Sequence, residues 1–72
     1  MRLIDLLMII DSETHISVFD TDEWQEIYHG LCGFNNNNKI FSMNSLAKKV
    51  CVVKIKNDNG VPTITINISY RI

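Results

Sequence analysis

The chain has 72 residues, 46% of them apolar and 21% charged, a composition of one ordinary globular domain that argues against disorder over most of its length. Its net charge of −1 and pI near 6.0 argue against a committed nucleic-acid binder, and two cysteines with two scattered histidines are too few for a zinc centre. The small net charge hides a division: residues 1–30 hold seven acids against one base, and residues 31–72 hold six bases against one acid.

Leu3, Ile4, Leu6, Leu7 and Ile10 recur at helical spacing, with Arg2, Asp5 and Asp11 on the other side, and predict a helix over 2–10. Asp11-Ser12-Glu13-Thr14 ends it. His15 to Phe19 reads as a strand, Asp20 to Glu23 as a turn, and Trp24 to Gly30 as a second strand of an antiparallel hairpin. Gly30 and Gly33 predict a bend after it, and Phe34 to Lys39, with asparagine at 35 to 38, predicts a loop. Ser42 to Lys49 predicts a short helical turn with Ser42 as N-cap.

The last hairpin is the clearest element. Val50 to Lys56 and Thr63 to Ile72 flank a turn that carries Asn59-Gly60, residues suited to positive φ, with Pro62 at the mouth of the strand. Ile64, Ile66, Ile68, Tyr70 and Ile72 alternate with Thr63, Thr65, Asn67, Ser69 and Arg71, which predicts one core face and one wet face. The expected architecture is α+β in two layers, in the order α-β-β-(α)-β-β. The N-terminal helix packs on the inner face of a curved four-stranded antiparallel sheet, and residues 1–72 form a single domain.

Candidate chemistry is sparse. His15 and His29 read as surface histidines on adjacent strands, Cys51 as a small core residue among valines, and Cys32 as a thiol between glycines with no partner set for nucleophilic catalysis. Asp20, Asp22 and Glu23 lack the glycine and distal glutamate of a calcium loop and read as a solvated turn. No enzyme, metal or cofactor is expected. The apolar start is short and broken by Asp5, unlike a signal peptide or a membrane span, so a cytoplasmic protein with reduced thiols is expected.

Charge asymmetry in so small a chain points to one-sided surfaces and to a binding role. The acidic candidate surface is Asp20, Asp22, Glu23 and Glu26 with the aromatic anchors Trp24 and Tyr28, suited to a larger basic protein partner. The alternative surface is Lys48, Lys49, Lys54, Lys56 and Arg71, which could track phosphates; Lys54 and Lys56 are expected to share a face with Val50 and Val52. A third reading is self-association, with opposite charges docking head to tail and the C-terminal strand as a pairing edge.

The layout of Leu3 to Ile10, His15 to Gly30 and Val50 to Ile68 resembles a group of small phage and prophage proteins of Gram-positive bacteria, by apolar spacing and not by a signature motif. The resemblance implies a non-enzymatic inhibitor of a host protein or complex, of the anti-CRISPR or other anti-defence type. Its natural contact surface would be the acidic hairpin, acting in the bacterial cytoplasm; no site residues carry over from that group.

Overall fold

A computed structural model describes residues 1–32 and 41–70. In chain order the elements are α1 (Leu3–Ile9), β1 (His15–Asp20), β2 (Gln25–Leu31), α2 (Met43–Ala47), β3 (Lys49–Asp58) and β4 (Val61–Ser69). The expected loop at Phe34 to Lys39, the bend residue Gly33, and Arg71 and Ile72 lie outside the described residues.

The four strands form one sheet in the order β2-β1-β4-β3. Two antiparallel hairpins, β1–β2 and β3–β4, are joined through a parallel pair, β1–β4, in register from His15↔Thr63 to Asp20↔Ile68. The sheet is therefore mixed, not wholly antiparallel as expected. The second hairpin enters after a long connection that includes α2, and such a crossover is what parallel neighbours require. This arrangement also puts β4 inside the sheet, so the C-terminal strand offers no free edge; the outer strands are β2 and β3.

α1 begins where the Asp5 carboxylate accepts a hydrogen bond from the Arg2 backbone N–H at 3.2 Å, satisfying a donor that a helix start would leave open. The Ser42 side chain caps α2, accepting from the Ser45 N–H at 3.1 Å. The N-terminal segment is stitched to the start of β3, with Leu3 N–H donating to Lys48 O and Val50 N–H to Met1 O, both at 2.8 Å.

Both helices cover the same face of the sheet. Leu3 and Leu7 of α1, Leu46 of α2, Phe41 and Cys32 meet Ile16 and Val18 of β1 and Ile66 and Ile68 of β4 in one buried cluster. Each fully buried aliphatic side chain contributes about 1.5–3 kcal/mol. The helix layer is short: α1 has seven residues against ten in β3, roughly 10 Å of helix over 33 Å of strand. Val53 and Ile55, on the helix side of β3, remain exposed as a result, Ile55 to 80%.

Several side chains depart from the expected alternation. A bulge between Val50 and Val52 puts Val50 opposite Ile68 on the core side, while Val52, Lys54 and Lys56 sit opposite Asn67, Thr65 and Thr63 on the open face. Val50 thus does not share a face with the two lysines. Thr63 and Ser69, expected to be wet, are buried, and Tyr70, expected in the core, is exposed. Cys51 is partly exposed at the bulge instead of in the core, and the two cysteines are not bonded to each other.

Candidate protein-binding surface

The β1–β2 turn is held from beneath. Asp20, the last residue of β1, is 2% exposed, and its Oδ1 accepts from the backbone N–H groups of Asp22 at 2.9 Å and Glu23 at 3.2 Å. This is how aspartate shapes a turn without a helix or sheet partner. Thr21 ties the same turn to β4: its N–H and its hydroxyl both donate to Ile68 O, at 3.0 and 2.8 Å.

The Lys48 ammonium enters this turn from the C-cap of α2. Its Nζ lies 2.6 Å from Asp20 Oδ2 and 3.1 Å from Asp22 Oδ2, and 4.8 Å from the centroid of the Tyr70 ring. The Asp22 carboxylate also accepts from the Ser69 hydroxyl and the Tyr70 N–H, both at 2.8 Å. Burial works to lower the Lys48 pKa, but hydrogen bonds and charge from Asp20 and Asp22 outweigh it and hold the ammonium above its ordinary value. The Tyr70 N–H, then the Ser69 hydroxyl, hold Asp22 below the ordinary carboxylate value, against a smaller opposing effect of burial and with help from Lys48.

Trp24 follows at the end of the same turn. Its backbone is left-handed, at φ 55°, and the residue is 77% exposed. The ring meets Phe19 edge to face, with centroids 5.3 Å apart, a geometry aromatic pairs favour. Glu23 beside it is exposed. Glu26 follows on β2, where its Oε2 accepts from the Ser17 hydroxyl at 2.6 Å.

Tyr28 turns the other way, towards the helices. Its ring packs against Phe41 and its hydroxyl donates to Leu31 O, while burial, then the nearby Cys32, raise its pKa. The six acidic-surface candidates are therefore divided. Glu23, Trp24 and Glu26 face solvent at the turn and its edge; Asp20 is buried, Asp22 is bonded from several sides, and Tyr28 belongs to the packing.

The basic candidates divide as well. Lys48 is buried in the turn network, Lys49 is exposed at the start of β3, and Lys54 and Lys56 are exposed on the open face; Arg71 lies outside the described residues. On that face His29 of β2 reaches Asp58 of β3, with Nε2 2.9 Å from Oδ2, and its Nδ1 lies 3.7 Å from Glu26 Oε1. The contact joins the two outer strands over a hollow of about 460 Å³ lined by Ser17, Phe19, Lys56 and Thr65 among others. Nothing in the sequence marked Lys48 as buried, or Phe19 and His29 as sharing the open face. The β1–β2 register puts Phe19 and His29 on one face, and long-range packing brings Lys48 to Asp20.

Fold and surface together define a small α+β domain with a mixed sheet, one face packed by helices and a hydrogen-bonded turn presenting an exposed tryptophan. No protein-family model matches the chain, and no curated protein or solved structure is significantly similar to it. Among the described residues no helix is long and apolar enough to cross a membrane, and no three His, Cys, Asp or Glu side chains cluster to hold a metal ion.

Proposed function

We propose that this chain is a small non-enzymatic binding protein that docks through the tip of its first hairpin, with Trp24 as anchor and Glu23 and Glu26 as acidic flank. The observation that carries the reading is Trp24: the largest apolar side chain available to a domain short of core is held outside it, on a left-handed backbone. A non-glycine residue in that conformation costs roughly 1–2 kcal/mol, so the surrounding structure must impose it. The turn bonds that Asp20 accepts from the Asp22 and Glu23 N–H groups, and the Phe19 ring against Trp24, support that conformation. A preorganised aromatic side chain loses little freedom on binding, which is where tryptophan anchors gain their affinity. The fitting partner is a larger protein with an apolar pocket rimmed by basic side chains. In line with the resemblance to phage and prophage proteins, that partner would be a host defence protein, such as a CRISPR component, inhibited in the bacterial cytoplasm.

The test is capture from bacterial lysate by the immobilised chain, run beside Trp24→Ala and Glu23→Lys. Both positions are exposed, so both variants are expected to stay folded by circular dichroism. A protein retained by the wild type and lost by both variants supports the reading; equal retention by all three overturns it. Asp22→Lys is not a suitable probe, because it breaks the network that shapes the turn.

A further inference from the structure

With the His29–Asp58 pair between the outer strands set aside, the sheet order sorts the remaining charges by edge. After the Asp20–Lys48–Asp22 network is set aside, the acidic side chain on strand β2 is Glu26, and the bases on strand β3 are Lys49, Lys54 and Lys56. β2 and β3 are the two outer strands, and among the described residues only the start of β3 has a further backbone partner, through Met1 and Arg2. From Cys51 to Lys56, among the described residues, no strand pairs with the outer edge of β3, whose backbone donors and acceptors are the template on which another strand pairs.

We propose that this edge of β3 receives the β2 edge of a second copy of the chain, head to tail, extending the sheet. The two edges match on both faces. Glu26 lies on the open face with Lys54 and Lys56, as the pairings Phe19↔Glu26, Phe19↔Asn67, Val52↔Asn67 and Lys54↔Thr65 establish. On the helix side, β3 leaves Val53 and Ile55 exposed, and β2 offers Ile27 and Tyr28 at the margin of the core. Joining the edges puts carboxylate beside ammonium on one face and apolar beside apolar on the other.

The direction also fits. β2 runs antiparallel to β1 and β3 antiparallel to β4, and β1 and β4 are parallel, so β2 and β3 run the same way. A second copy displaced along the sheet therefore brings β2 alongside β3 in parallel, with open face continuing open face. A two-fold pairing of β3 with itself instead brings Lys54 and Lys56 of one copy against the same lysines of the other, and like charges opposite each other destabilise a sheet. The contact is heterologous, so it repeats instead of closing at two copies.

Light scattering behind size exclusion tests this on the full chain over a concentration series at low and high salt. The wild type is expected to associate at low salt and to weaken as salt rises. Lys54→Glu with Lys56→Glu, or Glu26→Lys, is expected to weaken association by at least about tenfold, and an equimolar mixture of the two variants to restore it. Ile55→Lys, at an exposed position that bears no turn or core contact, is expected to dissociate the wild-type assembly and guards against local unfolding in Glu26→Lys. A wild type that stays monomeric at every concentration, an oligomer indifferent to these changes, or variants that fail to complement each other overturns the proposal. Trp24 has no part in this contact, so its outcome is separate from that of the capture experiment.

Discussion

The two hairpins of this sheet treat charge in opposite ways. In the first, Asp20 and Asp22 are spent on a buried ammonium, and the turn they form is bonded to α2 and β4. In the second, the turn is a two-residue Asn59-Gly60 link with both φ values positive, at 52° and 84°, and the long strands project their lysines into solvent. One hairpin is shaped by long-range contacts and the other by local backbone chemistry. The division of acids and bases along the chain is thus partly a device of folding, since Lys48 of the basic half holds together the acidic half's turn. What remains free after that pairing is the part available for partners.

The sharpest way to break the contrast is Lys48→Met. It removes a buried cation and leaves the Asp20 carboxylate enclosed without its counter-charge, an event that costs roughly 3 kcal/mol or more. That is comparable to the whole stability expected of a domain this small, about 3–5 kcal/mol. Urea denaturation is expected to show a chain mostly unfolded or close to it, with much of the loss recovered on adding Asp20→Asn. A midpoint near that of the wild type would show that the turn holds its shape by other means.

Titration probes the same network without mutation. Lys48 has a raised pKa in the folded state, so its contribution is present below the unfolded lysine value of about 10.4 and is lost as pH climbs through the folded one. Asp22 has a lowered pKa, so its contribution is present above about pH 4 and is lost as pH falls through the folded value. Thermal midpoints are expected to hold level across neutral pH and to drop at both extremes. In Lys48→Met with Asp20→Asn the alkaline drop is expected to shrink to the part due to Tyr28, whose raised pKa also costs stability as pH climbs past its unfolded value.

The second hairpin answers to backbone changes instead. Gly60 has φ 84° with nothing within 4 Å of where a Cβ would stand, so Gly60→Ala is strained by conformation and not by collision. The expected loss is about 1 kcal/mol, read by urea denaturation, and Gly60→Asn is expected to lose less because asparagine tolerates the left-handed region. Equal loss in both would point to something other than φ.

These differences explain what could be read before the fold was known. Asn59-Gly60, the Ile64-Ile66-Ile68 alternation, the Ser42 cap and the helix over Leu3 to Ile9 are all local in sequence, and the structure has each of them. The β1–β4 parallel pairing joins residues 48 positions apart, such as Ile16 and Ile64, and no periodicity reports on such a partner. The bulge at Cys51 turns Val50 to the other face by one extra residue, which alternation alone does not reveal. Lys48 stands next to Lys49 in sequence, yet one is buried and the other exposed. That outcome depends on where Asp20 comes to rest, so the candidate surface was legible as composition and not as geometry.

The smallest effect belongs to the contact that joins the outer strands. His29 and Asp58 are 2.9 Å apart, but their side chains are 46% and 39% exposed, and exposed pairs of this kind contribute about 0–1 kcal/mol. Asp58→Asn keeps a hydrogen-bond acceptor for the imidazole while removing the charge, so its expected cost is a few tenths of a kcal/mol and should vanish in high salt. The more informative readout is hydrogen exchange at the tip of the second hairpin. If the pair holds the tip over the open face, amides near Asn57 and Val61 exchange faster in Asp58→Asn than in the wild type, while those of the Lys48-bonded first turn do not change. Faster exchange in both hairpins would mean that the two regions open as one unit and would remove the contrast between them.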